Sequence, residues 1–71
     1  MTQCEKIHRH LQDYGSITPV EALREYGVMR LAARIKDLKK RGVYIQSRRT
    51  SGTNRYGERV RYSVYTLEVR G

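Results

Sequence analysis

The sequence predicts a small α+β domain in which three helices precede an antiparallel β-hairpin, and three observations lead to this fold class. Apolar side chains recur at helical spacing in three segments, which are residues 3–14, 19–26 and 28–41. After Gly42 the pattern changes to strand-like alternation in two segments, residues 43–49 and 58–68. The chain has 71 residues, enough for one domain with one modest core.

The first helix is predicted to begin at residue 3 because Thr2 and Glu5 form a capping box, in which each side chain bonds the backbone N–H of the other residue. Its apolar stripe consists of Cys4, Ile7, Leu11 and Tyr14. Gly15 suits the left-handed conformation that ends a helix. Residues 16–18 are too few for an independent strand, but they can extend the edge of a small sheet.

A helix-turn-helix is predicted in the middle of the chain. Thr18 and Glu21 form a second capping box, and Gly27 allows a sharp turn between the second and third helices. The apolar side of the second helix consists of Val20, Leu23 and Tyr26. The apolar stripe of the third consists of Val28, Leu31, Ala32, Ile35 and Leu38.

The second strand of the hairpin changes its apolar face along its length. Its apolar residues form two sets of opposite parity, first Val60, Tyr62 and Val64, then Tyr65, Leu67 and Val69. This change predicts either a β-bulge or a hairpin that leaves the core halfway. The order helix, short strand, helix, helix, strand, strand is that of a winged helix-turn-helix.

The positive charge lies in the second half of the chain. The net charge is +8 overall, but residues 1–27 carry −1 and residues 28–71 carry +9. This clustering predicts a polyanionic partner, with nucleic acid favoured over an anionic membrane surface. No stretch is apolar enough to span a membrane and no signal-peptide pattern is present, so we expect a cytoplasmic protein.

Catalytic and metal chemistry have no sequence support. The single cysteine, Cys4, excludes an internal disulfide and a Cys-rich zinc site, and it lies on an apolar stripe. His8 and His10 are two residues apart, which places them on different helix faces. No nucleophile–base pattern or phosphate-binding glycine loop is present. We therefore expect no enzymatic activity, no cofactor and no metal.

The third helix is the first candidate for reading DNA, because a major groove admits one α-helix. Arg30 and Arg34 are one turn apart, and each can pair with guanine; Asp37 is expected to bond Arg34 or Arg41 and fix its rotamer. The candidate contact residues on this helix are Met29, Arg30, Ala33, Arg34, Asp37, Lys40 and Arg41. The alternative is a solvated face with ion pairs inside the helix.

The hairpin, or wing, is the second candidate. Its candidate contact residues are Arg48, Arg49, Asn54, Arg55, Arg59 and Arg61. They suit phosphate contacts or insertion into a minor groove, whereas the alternative is an edge hairpin kept soluble by charge. Tyr56 and Tyr62 lie among these arginines, which leaves stacking on RNA or single-stranded DNA open. Thr18, at the start of the second helix, is a further candidate phosphate contact.

Two long segments resemble a family of small helix-turn-helix domain proteins of bacteriophages and prophages. They are "GSITPVEALREYGVMRLAARIKDLKKRGVYI" and "TNRYGERVRYSVYTL", and the resemblance extends from about Cys4 to Leu67. It implies a winged helix and a DNA-binding role. Arg30, Arg34 and Asp37 match the third-helix pattern of that family, so the resemblance assigns them to the DNA contact.

The sequence therefore predicts a protein that binds double-stranded DNA and acts as a phage or bacterial transcriptional regulator. A homodimer on a two-fold site stays open. Two other functions also stay open: a protein-binding module that inhibits a host enzyme or defence complex, and an RNA-binding protein.

Overall fold

A computed structural model of the protein describes residues 2–68. Its elements are α1 (Gln3–Tyr14), β1 (Ser16–Ile17), α2 (Pro19–Tyr26), α3 (Leu31–Lys40), β2 (Ile45–Thr53) and β3 (Arg59–Leu67). The three strands form one antiparallel sheet in the order β1-β3-β2. The predicted fold class, three helices with a small antiparallel wing, is confirmed, and the short strand β1 joins the same sheet.

Both predicted capping boxes are present at the starts of α1 and α2. The Thr2 hydroxyl accepts a hydrogen bond from the Glu5 backbone N–H at 3.1 Å, and Glu5 bonds back to Thr2. These hydrogen bonds hold the pKa of the Glu5 carboxyl below its ordinary value, and the charge of Arg41 adds to the effect. Local signals of this kind explain why α1 and α2 occupy the residues expected from the sequence.

The helix α3 begins at Leu31, three residues later than the sequence predicted, and ends at Lys40 rather than residue 41. Gly27 adopts a left-handed conformation, with φ of 68°, and the Val28 N–H donates to the Ala22 carbonyl oxygen at 3.1 Å. Val28 is fully buried, but within the turn rather than within the helix. Residues 27–30 redirect the chain between the two helices, so they are not helical. Val28 has the spacing of the helical stripe and is buried, which is why the sequence pattern alone starts the helix too early.

The core lies between the helices and the base of the sheet. Its buried apolar residues are Cys4, Ile7, Leu11, Ile17, Ala22, Val28, Leu31, Ile35, Leu38 and Ile45. Tyr26, Tyr65 and Leu67 pack against this cluster while partly exposed. The cluster draws on α1, α3, the turn and the sheet, so α3 is held by residues from the whole domain.

Four residues predicted to be apolar core are exposed. Tyr14, Val20 and Leu23 are each more than half exposed, and Ala32 is also on the surface. The stripe of α3 is centred on Leu31, Ile35 and Leu38, which rotates Ala32 away from the core. The helix α2 has a single fully buried residue, Ala22. Only a narrow part of its surface contacts the rest of the domain, so the neighbouring apolar side chains Val20 and Leu23 are exposed to solvent.

The wing keeps one continuous register along its length. Pairing runs from Ile45 opposite Leu67 to Thr53 opposite Arg59, with no bulge. Leu67 packs against the core, whereas Val60 and Tyr62 further out are exposed. Of the two expectations, the wing that leaves the core halfway is therefore correct. Val69, which belonged to the predicted alternation, lies outside the described residues.

Candidate nucleic-acid interface

The outward face of α3 lies opposite its buried stripe. Lys40 follows Leu31 by nine residues, which places it on the opposite side of a helix that turns about 100° per residue. Lys36 and Lys40 are exposed on this side. Ala33 lies beside them, half-buried and small, so a partner can approach the helix backbone closely here. These three residues, Ala33, Lys36 and Lys40, are called the outward face of α3 below.

Lys36 and Lys39 are exposed cations of α3 that the sequence reasoning did not include among the contact residues. The exposed face of a helix is the one opposite its buried stripe. When Ala32 is included in the buried stripe, the predicted exposed face is centred near Arg34 and Asp37. A stripe built only on the bulky residues Leu31, Ile35 and Leu38 points Lys36 outward.

Arg34 and Asp37 lie on the flank of α3 that meets α1. The Arg34 Nη2 is 3.4 Å from the Asp37 Oδ2, and the Cys4 Sγ–H donates to the same oxygen at 3.9 Å. The Arg34 side chain is only about one-third exposed, and its Nε is buried without a hydrogen-bond partner among residues 2–68. The expected pairing of Asp37 with Arg34 is present, and it joins α3 to the start of α1.

Arg30 and Arg41, the residues just before and just after α3, lie toward this flank. Arg30 and Arg34 line one shallow cleft of about 320 Å³, together with Gln3 at the start of α1 and Met29, which is 85% exposed. The charge of Arg41 acts on Glu5, which places it toward the same end of α1. The structure therefore brings Arg30, Arg34 and Arg41 together, but beside the outward face of α3 rather than on it.

The wing divides its arginines between its two sides. Paired residues of neighbouring strands share a side, and sides alternate along each strand. The register therefore puts Arg49, Arg59 and Arg61 on the side that holds Ile45 and Leu67 nearer the core. Arg49 and Arg61 line one shallow pocket of about 480 Å³. We call Arg49, Arg59 and Arg61 the wing cluster; it continues the core-facing side of the sheet beyond the helices.

Arg48 lies on the opposite side of the wing. The register places it opposite Val64, on the side that also holds the exposed residues Val60 and Tyr62. A single arginine among apolar residues makes this side much less cationic than the wing cluster. The two sides are therefore unlike in character, which the sequence alone did not show.

The tip of the wing is held by Asn54. Its Oδ1 accepts hydrogen bonds from the backbone N–H groups of Tyr56 at 2.9 Å and Glu58 at 3.0 Å, and its Nδ2 donates to the Glu58 carboxylate at 3.2 Å. The side chain that was expected to contact DNA is thus engaged in shaping the turn. Arg55, next to it, is exposed at the tip.

Thr18 is engaged in the same way at the start of α2. Its hydroxyl accepts from the Glu21 N–H at 3.3 Å, and its own N–H donates to the Glu21 Oε1 at 3.0 Å. The carboxylate that closes this capping box would also repel a phosphate. The expected phosphate contact at Thr18 therefore has neither a free donor at that residue nor a favourable charge beside it.

The exposed cations of α3 and the wing are available to a partner. Within residues 2–68, no ion pair is seen for Lys36, Lys39 and Lys40 or for the wing cluster, in contrast to Arg34 with Asp37. The longest dimension of the molecule is 39 Å, close to one turn of a DNA duplex at about 34–36 Å. One copy of the protein is therefore long enough to span about one helical turn.

Two features, a metal-holding group and a membrane-spanning helix, are absent from the described residues. Within residues 2–68, no group of three or more histidine, cysteine, aspartate or glutamate side chains is arranged to hold a metal ion. No helix in that part of the chain is long and apolar enough to cross a membrane.

Comparison with known proteins agrees with the fold. A family model described as a winged helix-turn-helix domain matches residues 2–70, nearly the whole chain. No curated protein and no solved structure is significantly similar to it. The match includes both capped helices, α3 and the whole wing. The chain therefore belongs to the family of winged helix-turn-helix domains.

Proposed function

We propose that the protein binds double-stranded DNA, with α3 in the major groove and the wing on flanking phosphates or in the minor groove. The observation that carries the proposal is the pair of exposed cationic surfaces, the outward face of α3 and the wing cluster, whose charges are not neutralised within the described fold. Membership of the winged helix-turn-helix family supports the same partner.

The outward face of α3 suits a groove. The major groove of B-DNA is about 12 Å wide and accepts one helix with its side chains. Lys36 and Lys40 supply positive charge there, while Ala33 leaves room for close approach. Met29, in the cleft beside this face, offers apolar contact. No side chain caps the N-terminus of α3, so its first backbone N–H groups are also able to donate to a phosphate.

The arginines beside this face have a supporting role. Arg30 is exposed and can reach a phosphate at the groove edge, as can Arg41. Arg34 shares its guanidinium with Asp37, so its main effect is to fix α3 against α1. In this proposal the lysines of α3 provide direct contacts, and the Arg34–Asp37 pair sets the angle at which the helix is presented.

The wing supplies a second contact surface for the duplex. The wing cluster continues the side of the sheet that holds the core residues Ile45 and Leu67, and in this proposal it contacts the duplex beside the segment bound by α3. Arg55 at the tip can reach furthest along the duplex. Arginine is suited to both tasks because its planar guanidinium binds phosphate in a bidentate way and enters narrow minor grooves.

The biological role that we infer is transcriptional regulation in a bacterium or a bacteriophage, in the cytoplasm. The resemblance of the α3 and wing motifs to small phage and prophage proteins supports it. A homodimer on a two-fold site fits a reader this small, since one copy covers only about one turn of duplex.

A salt titration of binding to a random-sequence duplex tests the proposal. If Lys36, Lys40 and the wing cluster each contact a phosphate, the logarithm of the association constant should fall with the logarithm of salt at a slope of about −4.5. Affinity should then drop about 500-fold over a fourfold rise in salt. The measurement is fluorescence anisotropy with a labelled duplex.

Other outcomes point to the other functions. No duplex binding at low salt would contradict the proposal and favour a protein partner, such as a host enzyme or defence complex inhibited by this module. Tighter binding to structured or single-stranded RNA than to duplex DNA would instead favour recognition through the arginines and tyrosines of the wing.

A further inference from the structure

A second cavity lies between α1, β1 and α2, and none of its residues belongs to the proposed DNA contact. It measures about 430 Å³, within the range of about 300–1,000 Å³ that is usual for small-molecule sites. Its lining residues are His10, Tyr14, Ser16, Glu21, Glu25 and Tyr26. Two carboxylates, two aromatic rings and an imidazole thus meet in a pocket that no lysine or arginine lines.

His10 leaves one ring nitrogen without a partner in this cavity. The residue is only 5% exposed, and its Nδ1 is 2.7 Å from the Tyr26 hydroxyl oxygen. Its Nε2 is buried, lies 3.9 Å from the Glu21 Oε2, and has no hydrogen-bond partner among residues 2–68. A buried polar atom left unpaired is costly, so this nitrogen marks a position where a ligand atom would be stabilised.

The charge around this nitrogen is negative. The Glu21 Oε1 is taken up by the capping box, but its Oε2 is directed toward His10. Glu25 is four residues later, on the same face of α2, and also lines the cavity. Burial raises the pKa of the Tyr26 phenol, and the charge of Glu25 raises it further. Tyr26 therefore stays neutral and adds no charge of its own to the cavity.

We propose that this cavity binds a small alkylammonium ion. Its N–H groups would donate to the His10 Nε2, the Glu21 Oε2 and the Glu25 carboxylate. The Tyr14 ring, whose centroid is 4.7 Å from that of His10, would cover the ligand with its π face. This arrangement uses the tautomer in which the His10 Nδ1–H donates to the Tyr26 oxygen, so that Nε2 is an acceptor.

The spacing of the acceptors favours an organic cation over a metal. Within the described residues, no three metal-ligating side chains are grouped to hold a metal ion, whereas an ammonium group bonds its acceptors over longer distances, about 2.7–3.2 Å. An ammonium group instead offers three directional N–H donors, which matches one nitrogen and two carboxylate acceptors. The surplus positive charge of the protein lies mainly in the second half of the chain, and at about 0.15 M salt it is screened beyond about 8 Å.

The test is a titration of the ¹⁵N-labelled full chain with n-butylammonium chloride at pH 7.5 and 0.15 M NaCl, followed by NMR. We expect saturable shifts at the backbone of residues 10–26 and at the His10 imidazole nitrogens. Neutral n-butanol at the same concentrations is expected to cause no saturable shift. No DNA is present, so the result does not depend on the proposed function.

Two charge variants make the test specific. Glu25→Gln should weaken n-butylammonium binding about tenfold, the loss expected for a charge-assisted hydrogen bond. Glu5→Gln removes one carboxylate outside the cavity while keeping a residue that can complete a capping box, and it should bind like the unchanged protein. Amide spectra of the free variants check that each is folded. Shifts that do not saturate, equal shifts with n-butanol, or equal binding by both variants would overturn the proposal.

Discussion

Replacing Arg49, Arg59 and Arg61 together with alanine is expected to lower affinity for a random duplex about 500-fold at 0.1 M salt. Each phosphate contact contributes about 0.9 to the slope of log affinity against log salt, so losing three flattens the slope by about 2.7. Random-sequence and cognate duplexes should be affected alike, because phosphate contacts carry no sequence information. Fluorescence anisotropy over a series of salt concentrations measures both quantities.

A matched control separates position from net charge. Lys6, Arg9 and Arg24 are the three cations of the first 27 residues, and replacing all three with alanine changes the net charge equally. That variant should lose much less affinity, because these side chains lie outside the outward face of α3 and the wing cluster. Equal losses in the two variants would show that only total charge matters. Thermal unfolding of both checks that the domain is intact.

Replacing Lys36 and Lys40 with alanine is expected to lower affinity about 60-fold at 0.1 M salt, with the slope flattened by about 1.8. Both side chains are exposed, without ion pairs in the described structure, so folding stability should change little. Anisotropy measures the binding loss and urea unfolding measures the stability. If the side chains also touch base edges, preference for a selected site over random duplex should fall as well.

Arg34→Ala is the comparison for this pair of lysines. Its guanidinium is paired with Asp37 and partly buried at the seam between α1 and α3. We therefore expect a smaller loss of DNA affinity than for the double lysine variant, together with a lower free energy of unfolding. A larger affinity loss from Arg34→Ala, with stability unchanged, would instead support the pairing with guanine that the position of Arg34 on the predicted third helix suggests.

The sequence predicted the helix starts where the signals were local. Thr2 with Glu5 and Thr18 with Glu21 encode their capping boxes within four residues, and both boxes are present. The start of α3 could not be found in this way, because Val28 would be buried in either structure, in a helix that began at residue 28 or in the turn that is observed. Only the hydrogen bond from Val28 back to Ala22 distinguishes the two, and that contact depends on the three-dimensional arrangement.

The candidate site was predictable in charge but not in orientation. The concentration of cations after residue 28 is visible in the sequence, whereas the phase of α3 depended on whether Ala32 belongs to the buried stripe. The division of the wing arginines depended on the strand register, which places Arg48 and Arg49 on opposite sides. Asn54 shows a further limit, since the same side chain suits DNA contact and a tight turn.

The most direct test of the account is NMR mapping of the DNA-binding surface. The ¹⁵N-labelled protein is titrated with an unlabelled duplex of about 16 base pairs at low salt. The largest amide shifts are expected in residues 29–40 and 48–61, with little change over residues 8–14 of α1. Shifts concentrated on α1, or no shifts with duplex DNA at low salt, would contradict it.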